Sequence, residues 1–168
     1  MIRIDNNIVL YCITHKKRFI LFVIRFIMKN NYWLVKEEPT KYSYNDLVTD
    51  KKTVWDGVGN NLALKYIRQI SKGDEIFYYH TGKEKSIVGI AKVIKGYYSD
   101  PKKIDEKFVV FDIRPMRKLL RPITLKEIKS NKIFKDFELV KIPRLSVMPV
   151  TKKYWNEIIK LSNKKNDF

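Results

Sequence analysis

Cysteine, histidine and acidic residues are all scarce in this 168-residue chain. The one cysteine, Cys12, cannot close an internal disulfide, which excludes the stapled scaffolds of small secreted proteins. With two histidines and one cysteine, no Cys/His spacing suits a zinc site, so neither a metal nor a cofactor is expected. Apolar runs long enough to cross a bilayer are also missing. Ile8–Ile13 and Phe19–Ile24 are divided by His15, Lys16, Lys17 and Arg18 and followed by Arg25. Neither run approaches the ~20 residues a span requires. Cations lying between two runs, rather than ahead of a single one, are the wrong order for a secretory signal. A membrane partner is therefore not expected and a cytoplasmic location is; interfacial binding of the leader is the remaining membrane role.

What is present is a core and a large positive charge. Hydrophobic residues make up 45% and aromatics 13%, enough apolar surface to exclude global disorder. The length suits one domain. The composition turns from aliphatic to mixed at Met28, which places an extension over residues 1–27, a domain over 28–161 and a polar tail over 162–168. Lys and Arg number 35 against 18 Asp and Glu, a net +17. Five basic residues and one acidic residue in 1–27 account for +4, leaving +13 on residues 28–168. That surplus belongs to the domain and points to a polyanion, nucleic acid before others.

Local signals outline many short strands and a few short helices. Tyr32–Val35 suits a strand halted by Lys36-Glu37-Glu38-Pro39. Ser43 with Asp46, and Thr124 with Glu127, have capping-box spacing, and Asn60 and Thr151 are further N-cap candidates. The helix after Asn60 is expected to carry Leu62, Ala63, Tyr66, Ile67 and Ile70 and to end at Gly73-Asp74. Strands are expected over Glu75–His80, Ile87–Tyr98, Lys107–Ile113, Leu139–Ile142 and Arg144–Val147, largely with antiparallel neighbours. The fold class is α+β: a small, strongly curved sheet or barrel with helices over its openings.

Catalytic equipment is thin. No Walker loop is present, and Gly57-Val58-Gly59 lacks the remaining glycine and the βα context of a dinucleotide fingerprint. Glu37 and Glu38 are adjacent and would point to opposite sides of an extended chain, so they do not form a carboxylate pair. His80 is the domain's only histidine and hence its only candidate general base. Aromatics beside polar turns are better represented: Trp33 near Lys36 and Glu38, Trp55 beside Asp56 and Asn60, and Tyr78-Tyr79-His80. Bases stack on π faces while their edges take hydrogen bonds, although each aromatic taken singly could equally be core.

Tyr32-Trp-Leu-Val-Lys-Glu-Glu-Pro39 with Tyr42-Ser43, Trp55-Asp-Gly-Val58 with Asn60, Gly73-Asp74, Tyr79-His80 and Arg144-Leu-Ser-Val-Met-Pro149 together resemble the EVE domain family of the PUA-like superfamily, related to the YTH readers. The resemblance covers nearly all of residues 30–161. It implies a PUA-like, strongly curved β-barrel with flanking short helices, and binding of modified bases in nucleic acid, notably modified cytosines in DNA. Carried over, it places Trp55, Asp56, Gly57, Val58 and Asn60 on the pocket turn. Trp33, Lys36 and Glu38 fall on the first-strand motif, Tyr79 and His80 on the central strand, and Arg144, Leu145 and Ser146 on the late motif. Gly59 stands where the family usually has Arg, removing a guanidinium suited to a phosphate or base. The expectation is a non-enzymatic reader of a modified base in DNA or RNA. The alternatives are a pocket for a small nucleotide-like ligand and an enzyme acting on nucleic acid through His80.

Overall fold

The computed structural model describes residues 31–164 and, ahead of them, two dipeptide strands, β1 (Arg3–Ile4) and β2 (Ile8–Val9), which pair antiparallel. The rest of the expected 1–27 extension and the tail beyond Lys164 lie outside the described residues.

Six strands of the domain form one sheet, built around β5 (Glu75–His80). Ile76, Phe77, Tyr78 and Tyr79 of β5 are all buried, as they must be in a strand covered on both faces. β5 pairs antiparallel with β6 (Ser86–Ser99) and parallel with β3 (Tyr32–Glu37). A parallel pair needs a long crossover, and residues 38–74 supply it with α1 (Tyr44–Asp50), β4 (Thr53–Trp55) and α2 (Asn61–Ile67). Trp55, expected beside a polar turn, ends an edge strand that leads into it. β6 in turn pairs with β7 (Val109–Thr124), and β8 (Val147–Val150) closes the far side of β3.

The order is β4-β7-β6-β5-β3-β8, and no pairing joins β8 to β4. The sheet is therefore open, and the expected barrel closure is not formed by its hydrogen bonds. Register shifts interrupt the β6–β7 ladder, and extra residues on one strand raise the local twist. Pro149 sits inside β8 rather than after it, which an edge strand tolerates because one side of its ladder is unpaired.

Helices cover both faces. On one, Trp155 of α5 (Lys152–Asn163) stacks on Phe77 at 3.8 Å and on Tyr32 at 4.4 Å. On the other, Tyr78 meets Tyr44 of α1 and Trp55, each edge to face at 5.5 Å. Both capping boxes form, the second opening α3 (Leu125–Ser130), and Asn60 and Thr151 cap as expected.

Several elements differ from expectation, among them β7, expected over Lys107–Ile113 and found over Val109–Thr124. Leu139–Ile142 is mostly helical, as α4 (Glu138–Lys141), because four apolar-rich residues carry too little periodicity to separate helix from strand. Of Arg144–Val147 only Val147 enters a strand, since Leu145 N–H is turned back to the Ile142 carbonyl at 3.0 Å. The helix after Asn60 stops at Ile67, and Ile70 is buried from the turn that follows. At the C-terminus, α5 carries the fold two residues past 161, and Ser162 is buried with its hydroxyl donating to the Ile159 carbonyl.

Candidate functional site

The sheet separates residues that the sequence places together. Side chains alternate along a strand, so Tyr79 and His80 point to opposite faces. With His80, on the side of α1 and α2, lie Trp33 and Trp55. The Trp33 indole Nε1 donates to Asp74 Oδ2 at 2.8 Å, and Trp55 is 5% exposed, packed against Tyr78 and Phe111. His80 Nε2 lies 2.9 Å from the Tyr44 backbone N–H. That N–H can only donate, so the ring proton resides on Nδ1 and is donated to Glu84 Oε2 at 2.7 Å. Both ring nitrogens are thus committed, which leaves none free to accept a substrate proton.

Lys36 and Tyr79, partners on one rung of β3 and β5, face the other side and meet at a hollow of about 270 Å³. Tyr79, Leu125, Leu139 and Pro143 give it an apolar floor, and Lys36, Lys85 and Lys129 supply its cations. Local sequence explains the convergence. Thr124 ends β7 and caps α3, so Leu125 and Lys129, four residues apart, fall on one side of that helix. Lys36 Nζ donates to the Pro143 carbonyl at 2.9 Å and stands 5.8 Å from the Tyr79 ring centre. Burial lowers the Lys36 ammonium to about 8 and raises the Tyr79 phenol to about 12, so near neutral pH the former is charged and the latter a neutral donor.

Glu38 reaches the hollow indirectly. Its Oε2 accepts from Thr81 Oγ1 at 2.9 Å, and its carboxylate lies over Gly82, where a Cβ would come within 2.5 Å of Oε1. Gly82 and Thr81 both line the hollow. The late motif contributes the Ser146 carbonyl, which accepts from Lys36 N–H at 2.9 Å; Leu145 is core and Arg144 is exposed.

The turn after Trp55 occupies a separate place. Gly57, with a φ of 73°, Val58 and Gly59 border a smaller hollow of about 90 Å³ together with Asp100, Lys103 and Phe108. Asp56 pairs with Lys102 at 2.9 Å, tying this turn to the loop before β7. The Asn60 side-chain oxygen is taken by the N–H groups of Leu62 and Ala63. A Cβ at Gly59 would meet nothing within 4 Å, so space does not exclude the Arg that the resemblance implies there.

Of the residues lining the larger hollow, the sequence singles out Lys36 and Tyr79 but not Thr81, Gly82, Lys85, Leu125, Lys129, Leu139 or Pro143, while Glu38 and Ser146 stand behind the lining. The Leu125/Lys129 spacing behind a capping box was a usable signal. Nothing local marks Leu139 or Pro143. Among the described residues no group of three His, Cys, Asp or Glu side chains is placed to hold a metal ion.

An open α+β sheet sheathed by helices is consistent with a small domain of the PUA-like kind. The chain belongs to the EVE domain family, whose model matches residues 31–161. It is 31% identical to thymocyte nuclear protein 1 of Rattus norvegicus, over 79% of this chain and 74% of that protein. Thymocyte nuclear protein 1 of Homo sapiens is 30% identical, over 80% and 75%. Among solved structures, Rpa0253 from Rhodopseudomonas palustris superposes with a TM-score of 0.76 at 37% identity, over 82% of this chain and 98% of that one. The human THYN1 protein, solved in complex with DNA containing 5-methylcytosine, superposes with a TM-score of 0.75 at 29% identity, over 81% and 99%.

Proposed function

We propose that this domain is a non-enzymatic reader of DNA carrying a modified cytosine, with the basic surface holding phosphates and the Lys36–Tyr79 hollow receiving the base. The observation that carries the reading is the match to human THYN1 bound to 5-methylcytosine DNA, over nearly all of that chain. Local geometry supports it. An apolar floor of Leu125, Leu139 and Pro143 suits a methyl group, and Lys36, Lys85 and Lys129 suit the phosphates on either side of an extruded nucleotide. Tyr79 and Trp55 are 3% and 5% exposed, so neither offers the open ring face that stacking requires. Contact with the methyl group, rather than an aromatic sandwich, is the proposed basis of selection. The committed nitrogens of His80 favour binding over catalysis.

The test is a polarisation titration of the full chain with duplexes differing in a single 5-methylcytosine. A methyl group in an apolar site is worth ~1–3 kcal/mol, so the modified duplex should bind about 10- to 200-fold more tightly. Equal affinity would sink the reading. A response to free methylated nucleotide as strong as that to the duplex would favour the small-ligand alternative, for which the size of the hollow is the supporting observation.

Affinity should also depend on pH through Lys36. Its pKa lies near 8 in the folded protein, and binding an anion favours the charged form. As pH rises through 8, that contribution is lost. Raising the pH from 7 to 9 should weaken binding by up to about tenfold, the limit for one linked proton over one unit above its pKa. Lys36→Arg stays charged throughout and should flatten the profile. An unchanged slope in that variant would assign the titration elsewhere.

A further inference from the structure

The segment Arg114–Lys126 holds five basic residues and no acidic one. It also leaves the sheet partway along. On β6, Ile87 and Gly89 are separated by one residue, but their partners on β7, Ile123 and Lys118, are separated by four. Residues 119–122 thus oppose Val88 alone, a surplus of three that must bow out of the ladder. Pro122 has no N–H to give, so it cannot restore the pairing there. The bow splits its two leucines: Leu119 turns inward at 6% exposed, while Leu120 stands out at 78%. Arg117 and Lys118 are exposed beside it and make no ion pair among the described residues. Arg121 is held by Glu127 at 2.6 Å. A single exposed leucine is ordinary by itself, but one set among unpaired cations is placed to meet something apolar within a polyanion.

The bow also has a definite position. Tyr79, Ile87 and Ile123 occupy one rung across β5, β6 and β7. At ~4.8 Å between strands, Ile123 lies about 10 Å from the hollow's Tyr79, and Leu120 is three residues further along the chain. Leu125, two residues on the other side of Ile123, is part of the hollow's floor.

We propose that Leu120 is a wedge that enters the duplex and fills the gap left by the base received in the Lys36–Tyr79 hollow, while Arg117 and Lys118 clamp the phosphates on either side. This rests on the reader function proposed above. Apolar side chains inserted between base steps offset part of the unstacking cost, and flanking cations hold the deformed backbone. The occupant is duplex DNA rather than single strand, because a strand already unstacked leaves no gap to fill.

Leu120→Ala and Leu120→Lys in the full chain provide the test; an exposed side chain can be changed without unfolding, and matched thermal melts check that. Three DNAs are compared: a paired duplex with one 5-methylcytosine, the same duplex with an abasic site opposite it, and the single strand. Both variants should bind the paired duplex about tenfold more weakly than the parent and match it within about twofold on the other two, where extrusion costs little. A 2-aminopurine beside the 5-methylcytosine should brighten with the parent and not with Leu120→Ala. If the parent prefers the modified duplex and the variants behave identically to it, the wedge is overturned and the reader stands. If the parent shows no preference, both fall. Loss of binding to anionic lipid vesicles in the variants, with duplex affinity intact, would also overturn the wedge.

Discussion

Asp74→Ala is expected to lower the unfolding free energy by about 3–5 kcal/mol, the scale seen when one partner is removed from a buried charged network. Asp74 is 3% exposed, and its carboxylate serves three donors. Oδ1 accepts from the Asn31 N–H at 3.0 Å, and Oδ2 accepts from the Trp33 indole at 2.8 Å and the Ser71 N–H at 3.0 Å. Its main chain bridges as well, since the Val93 N–H donates to its carbonyl at 2.9 Å. One side chain therefore fixes the start of β3, the turn before β5 and the indole against which Tyr66 of α2 is tilted. Alanine would strand three donors, each costing ~1–3 kcal/mol if buried without a partner, although relaxation and water entry keep the sum below full additivity. Asp74→Asn keeps one acceptor oxygen and should lose less. Urea denaturation followed by circular dichroism measures both. A loss below about 1 kcal/mol for alanine, the size of an ordinary N-cap, would show that the network is not what joins these segments.

The same network explains why some of the sequence was legible and some was not. Features set by neighbours in the chain were readable: the capping boxes at Ser43–Asp46 and Thr124–Glu127, the caps at Asn60 and Thr151, and all of β5. Features set by distant partners were not. The parallel pairing of β3 with β5 depends on a crossover, and the continuation of β7 to Thr124 depends on β6 lying beside it. Gly73-Asp74 looks locally like a helix end, while its three side-chain bonds reach Asn31, Trp33 and Ser71.

The family motif carried a similar ambiguity. Trp33, Trp55 and His80 bear the resemblance, yet here they tie Asp74, Tyr78 and Tyr44 together, so these letters specify the scaffold more directly than a ligand contact. The candidate hollow adds Lys85, Leu139 and Pro143 to the locally legible Leu125/Lys129 pair, and no local pattern could have brought those three to it.

Duplex affinity is expected to fall by about 10³- to 10⁵-fold between 50 and 200 mM salt if the protein neutralises ~6–10 phosphates. The net +13 on residues 28–168 is enough for that many phosphates. It is also unevenly used: Lys102, Lys107, Lys141 and Arg121 are occupied by Asp56, Asp105, Asp136 and Glu127, whereas Lys85, Lys129, Arg117 and Lys118 form no ion pair among the described residues. Exposed ion pairs contribute little to stability, so the free cations can be removed without unfolding the domain. Replacing Arg117 and Lys118 with glutamine should reduce the slope of log affinity against log salt by about two, near one for each phosphate no longer neutralised, and should weaken modified and unmodified duplexes alike. Changing Lys102 and Lys141 in the same way should reduce it less, because Asp56 and Asp136 already oppose those charges. A flat salt response would remove nucleic acid as the partner. A steep response that ignores which lysines and arginines are changed would mean that the charge attracts DNA without the β7 bow and the hollow setting where it lies.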